Sequence, residues 1–226
     1  MRIQTAKRTG GRKDAPVDAG IPLEAKLQPT QARAQDTYEV VLATAGEMLR
    51  DIGFEQLTTN AICQKAGLTP PALYRYFPNK YAILKELGDR LMAAQDEAVI
   101  AWIEGGGLEG ATVEERLAKS LAMHRQIIEI TLGFPGGPAI GRALRAIPML
   151  QQLRFDSRDM VADRFYEAVR PRYPAVSESR LRVAMRMMVE LSYAAMEMVV
   201  EEPDRDADMV NHEVCLLFAL YFESFV

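Results

Sequence analysis

Cysteine is nearly absent, with Cys63 and Cys215 alone in 226 residues. So few thiols cannot build a disulfide scaffold, and they fit a reducing compartment. Histidine is equally scarce, at His124 and His212. There is no Gly-x-Ser-x-Gly, no Cys-x-x-Cys and no carboxylate cluster beside a nucleophile. The chain is therefore expected to be no enzyme, with no catalytic residue, no metal and no cofactor. His212 and Cys215 stand three apart, a helical spacing that could hold a metal, but two ligands are too few for a structural zinc site. Long apolar runs are missing as well. The longest nearly unbroken one, Val214 to Phe222, has nine residues, about half of a membrane span. The basic N-terminus has no apolar run after it, so no secretory signal is read and a cytoplasmic location without a membrane partner is expected.

What is present is ordinary globular composition, 49% hydrophobic and 26% charged, in a length that fits one or two domains. The net charge of −4 hides an asymmetry. Residues 1–90 hold 13 Lys and Arg against 10 Asp and Glu, whereas residues 91–226 hold 14 against 21. From Gln56 to Lys85 there is no carboxylate, only Lys65, Arg75, Lys80 and Lys85. Either this is a chance gap on a solvated face, or it is a surface kept clear of acids to face a polyanion.

Residues 1–30, with Pro16, Pro22, Pro29 and three glycines, read as a disordered arm. Its basic cluster Lys7, Arg8, Arg12 and Lys13 is either a floppy leader or a minor-groove arm. From Tyr38 a helical stripe begins: Tyr38, Val41, Leu42, Ala45, Met48, Leu49 and Ile52, with Gly53 placed to end it. Thr58 or Thr59 can cap a short second helix that Gly67 stops. Thr69 can cap a third, with Pro70 at its first position, running to about Phe77 before Pro78. A fourth opens near Asn79 and runs toward Trp102 and Gly105–Gly107.

Two short helices joined through a tight glycine turn form a helix-turn-helix, whose second helix lies in the major groove. The same corner occurs in helical bundles that bind no DNA. Here the outer face carries Thr69, Tyr74, Arg75, Tyr76 and Lys80 as donors, with Leu68 and Leu73 as anchors beneath. The segment from Leu57 to Lys80 resembles the DNA-binding domain of the tetracycline-repressor (TetR) family, most specifically at Ala66-Gly67, Leu73-Tyr74, Phe77 and Lys80, and the match covers roughly residues 34–94. The resemblance implies a homodimeric, ligand-responsive regulator, usually a repressor. It implies that Thr59 caps its helix and touches phosphate, that Asn60 lies close to the groove, and that Thr69 begins the recognition helix. Pro70, Pro71, Ala72 and Tyr74 would face bases, Arg75 and Tyr76 would reach bases or phosphates, and Lys80 would hold a phosphate. The chain departs from the usual family residues at Pro71, Tyr76, Cys63 and Tyr81. Because Pro71 has no backbone donor and Ala72 no hydroxyl, base reading would lean on apolar contact with thymine methyls.

Beyond the glycine break the periodicity predicts helices over about 113–132, 140–146, 149–169, 178–202 and 206–225, and no strand. The expected fold is all-α with about nine helices: an arm (1–30), a three-helix helix-turn-helix DNA-binding domain (31–90) and a helical effector-binding and dimerisation domain (91–226). The last two helices are apolar on most sides, which suggests packing on the core and on a twin. Met188, Leu191, Ala195, Met198, Val214, Leu217, Phe218, Tyr221 and Phe225 are the expected dimer interface. Trp102, Met123, His124, Ile127, Phe134, Phe155, Phe165, Tyr166, Met187 and Tyr193 are candidates to line a pocket for a small, hydrophobic effector; each could equally be core. The expected partners are double-stranded operator DNA, a second copy and that effector. Two other readings stay open: a regulator sensing thiol redox state through Cys63 or Cys215, and a helical interaction module that binds no DNA.

Overall fold

The computed structural model describes residues 20–225. These form nine α-helices and no strand: α1 (Ala32–Gln56), α2 (Thr59–Ala66), α3 (Pro70–Tyr74), α4 (Lys80–Glu104), α5 (Val113–Gly133), α6 (Gly137–Ala146), α7 (Gln151–Val169), α8 (Glu178–Glu201) and α9 (Ala207–Glu223). Local chemistry sets most of the ends. Gly53, at φ +72°, breaks the regular turn of α1, and Gly67, at φ +66°, ends α2 in the left-handed region that glycine enters without steric cost. Asn79 accepts from the Ala82 N–H at 2.9 Å and Asp206 from the Met209 N–H at 3.0 Å, capping α4 and α9. Thr112 and Ser177 cap α5 and α8 in the same way.

The apolar face of α1 (Tyr38, Val41, Leu42, Ala45, Leu49) packs on Ile62 of α2, Leu73 and Phe77, and Ile83, Leu84, Leu87 and Leu91 of α4. This core does not stop at the expected boundary near residue 90. Ile140 and Leu144 of α6 and Leu150 beyond it belong to the same cluster. Gly46 of α1 lies against Pro135 and Gly136, backbone to backbone, because neither glycine has a Cβ to hold the chains apart. A second core gathers Leu181, Ala184, Met185 and Met188 of α8 with Val214, Cys215, Phe218 and Phe222 of α9.

The arm expected over 1–30 lies outside the described residues as far as residue 19. Its remainder contradicts the expectation of disorder. Lys26 N–H donates to the Tyr76 carbonyl at 2.7 Å, Asn79 Nδ2 donates to the Pro22 carbonyl at 2.8 Å, and Gln28 Nε2 reaches Tyr38 Oη at 3.4 Å. Sparse apolar content did not decide the matter, because a chain without its own core can still satisfy its backbone on a neighbour. No helix among the described residues is long and apolar enough to cross a membrane.

Candidate nucleic-acid interface and effector cavity

The corner between α2 and α3 is built from backbone bonds. Leu68 N–H donates to the Cys63 carbonyl at 2.9 Å, which turns the chain sharply across Gly67. Thr58, not Thr59, caps α2, accepting from the Ala61 N–H at 3.1 Å. That leaves the Thr59 hydroxyl to meet Tyr74 Oη at 2.8 Å, a bridge from the start of α2 to the end of α3. Thr69 precedes α3 without a side-chain cap. The Ala72 N–H, which would reach it, donates to the Thr69 carbonyl at 3.0 Å instead, so the hydroxyl is unspent within the helix.

Of the ten residues expected to meet DNA, Asn60, Thr69, Pro70, Pro71, Tyr74 and Arg75 are exposed, and Thr59 and Ala72 partly so. Two are placed otherwise. Tyr76 is only 3% exposed and stands edge-on to Tyr38 with ring centres 5.7 Å apart, so it is a core aromatic. Its sequence position, two beyond Tyr74, turns it toward the opposite side of the chain. Lys80 is half-buried, its Nζ donating to the Phe54 carbonyl at 3.0 Å and lying 4.3 Å from the Phe54 ring centre. It closes the end of α1, whose last carbonyls have no partner in their own helix. Lys26, which sequence reasoning missed, joins the exposed side, with Nζ on the Tyr74 carbonyl at 3.1 Å. Nothing local marks it, since the contact spans 48 positions. Lys65 is neutralised by Glu47 at 3.1 Å and Asp51 at 3.7 Å, both on α1. Arg75 forms no ion pair among the described residues.

A cavity of about 800 Å³, solvent at its mouth included, lies between α4, α5, α7, α8 and α9. Trp102, Met123, His124, Ile127, Phe165 and Tyr193 line it. Four other candidates do not. Phe134 packs on the first core, Tyr166 on the second beneath the Arg182 guanidinium, and Phe155 and Met187 point outward, 40% and 54% exposed. Aromatic or methionine identity does not tell which side of a helix faces the hollow. Lining residues that the sequence reading passed over include Gln95, Asp96, Ser120, Ser192 and Met196.

Polar groups in this lining are altered by burial. His124 places Nε2 3.2 Å from Ser192 Oγ, and burial pushes its imidazole down to about 4, opposed by the nearby Asn211 amide. Between pH 6.5 and 4 the folded imidazole is neutral while the unfolded one is protonated, so unfolding takes up a proton and stability falls as pH falls. A shift of this size corresponds to about 3 kcal/mol. Urea unfolding followed from pH 7 to 4 is expected to show that loss, and His124→Gln to remove it. Asp96 accepts from Ser157 Oγ at 2.8 Å, and burial raises its carboxyl above the usual range. Both thiols are buried, Cys63 raised and Cys215 pushed up to about 12 by desolvation, the reverse of a reactive thiolate's surroundings.

The expected interface set also divides. Met188, Ala195, Val214, Phe218 and Phe225 are buried within this one chain, so they serve its own core. Leu191, Met198, Leu217 and Tyr221 stay exposed, joined by Val183, Met187 and Leu220. Amphipathic reasoning found the helices but did not separate the side facing the chain's own core from the exposed side.

Residues 41–87 match the family described as bacterial regulatory proteins, tetR family. The chain is 43% identical over 54 residues to tetracycline repressor protein class C of Escherichia coli, covering 24% of this chain and 25% of that protein. It is 36% identical over 64 residues to the HTH-type transcriptional regulator EthR of Mycobacterium tuberculosis, covering 28% and 30%. The chain thus matches about a quarter to a third of the length of these curated relatives. Among solved structures, a tetR-family regulator from Streptomyces coelicolor aligns at TM-score 0.62 and 14% identity, over 84% of this chain and 82% of that one. FadR of Bacillus subtilis, solved in complex with stearoyl-CoA, aligns at TM-score 0.60 and 20% identity, over 80% and 97%. These likenesses extend the shared fold through the helices beyond the matched domain.

Proposed function

For a chain that carries the DNA-binding domain of the tetR family of bacterial regulatory proteins, we propose a DNA-binding transcriptional regulator that acts in the cytoplasm as a homodimer on a pseudo-palindromic operator. It acts as a repressor, and a small apolar effector releases it. The observation that carries this reading is the exposed face of α3. Thr69, Tyr74 and Arg75 stand there with no acid among them, beside Lys26. Dimerisation through the exposed apolar residues of α8 and α9 sets two such faces for successive major-groove turns. Effector binding in the cavity would act through α4, which lines it with Gln95, Asp96 and Trp102 and carries the first core at its other end.

Selection from random double-stranded DNA tests this. A pseudo-palindrome should be enriched, and Tyr74→Ala or Arg75→Ala should weaken its binding by about tenfold to a hundredfold. Failure to enrich any sequence, or binding that the variants share and salt erases, would reject it in favour of an interaction module.

A further inference from the structure

The cavity's walls offer acceptors without matching donors. Gln95 is 2% exposed and gives its Nε2 to Thr131 Oγ1 at 2.7 Å. Thr131 spends its single hydroxyl proton on the Ile127 carbonyl, also at 2.7 Å, so it can only accept from Gln95. That fixes which way the amide faces and leaves Gln95 Oε1 as a buried acceptor with no partner among the described residues. Native interiors rarely leave such an atom unmet. The next residue, Asp96, also lines the cavity, holds one hydrogen bond from Ser157 and pairs with no cation among the described residues.

Positive charge is missing from the same walls. Among the described residues no lysine or arginine lines the cavity, and His124 is neutral at physiological pH. Arg158 stands 4.4 Å from the Tyr193 ring centre and is held by Glu190. Gln95, Tyr193 and Met196 also bound a smaller cavity beneath α6; its Arg145 and Arg154 both face Glu197, at 2.8 and 3.6 Å. An anionic head would enter an apolar space without a countercharge, whereas a head bearing N–H donors finds a carboxylate and a free carbonyl.

We propose that this cavity binds a lipophilic amine, its N–H donors taken by Gln95 Oε1 and the Asp96 carboxylate, and discriminates against a carboxylate of the same chain length. The proposal rests on the effector reading above and makes Gln95 and Asp96 its specificity-determining residues.

Trp102 is the chain's one tryptophan and lines the cavity, so its fluorescence reports occupancy. The full chain is titrated at pH 7 with decylamine, 1-decanol, decyl methyl ether and sodium decanoate, each also measured by thermal shift. Decylamine is expected to bind at least about tenfold more tightly than decanoate, with decanol between them and the ether below decanol. Asp96→Asn, which keeps an acceptor for Ser157, is expected to weaken decylamine by about tenfold and leave decanol within about twofold. Decanoate binding as tightly as decylamine, equal binding of all four, binding of none, or an amine preference surviving Asp96→Asn would each overturn the proposal. Adding the selected operator separates the two readings. Equal binding of all four with operator release defeats only this proposal; selective amine binding without release upholds it and defeats the effector role.

Discussion

Leu191→Glu combined with Leu217→Glu is expected to leave the protomer folded and cut operator affinity by about 10²–10⁴-fold. Both side chains are exposed, at 43% and 58%, so charge there costs the single chain little. In a twin-to-twin contact the same carboxylates would be buried without partners, which such an interface does not tolerate. Once the pair separates, each recognition helix binds its half-site alone and the linkage gain disappears. Sedimentation should report one protomer in place of two, with the circular-dichroism melt unchanged. A chain that stays dimeric, or a monomer that keeps full operator affinity, would refute the arrangement.

Gly136→Ala is expected to be severely damaging for a single added methyl. Its Cβ would stand 2.2 Å from the Gly46 carbonyl oxygen, at a φ of +75° that alanine resists. Left-handed backbone costs about 1–2 kcal/mol and overpacking about 1–3 kcal/mol, and here the obstacle is backbone, which cannot swing aside. A combined loss of about 3 kcal/mol lowers Tm by about 6–12 °C for a chain of this length. Gly46→Ala pits two effects against each other. Alanine gains about 1 kcal/mol in a helix interior, but its Cβ would lie 2.5 Å from the Pro135 carbonyl oxygen, so the clash prevails. Gly141→Ala in α6 meets nothing within 4 Å and should raise Tm instead. Calorimetry of the three variants decides; a stabilised Gly136→Ala would show that α1 and α6 do not meet as closely as described.

Helix positions were legible because caps and breakers are local: Asn79, Thr112, Ser177 and Asp206 cap the helices that follow them, and Gly53 and Gly67 take the left-handed turns. The corner at Gly67 could be read for the same reason. Tyr76 and Lys80 were misplaced because their partners, Tyr38 and Phe54, lie 38 and 26 positions away, beyond any periodicity. The cavity was legible only in part. Spacing finds the apolar stripe of a helix but not the hollow it borders, so Trp102 and Tyr193 were named while the polar Gln95 and Asp96 were passed over. Phe218, expected at a twin's surface, lines the cavity instead.

The cluster that begins at Tyr38 and ends at Leu150 has a consequence for anyone dissecting the molecule. A fragment cut after α4 would lose Ile140, Leu144 and Leu150, and the apolar seat they fill on α1 and α4 would become wet and sticky. The reading head is therefore no detachable cassette. Grafted onto another body it would have to bring α6 with it, or find a host that supplies a substitute plug.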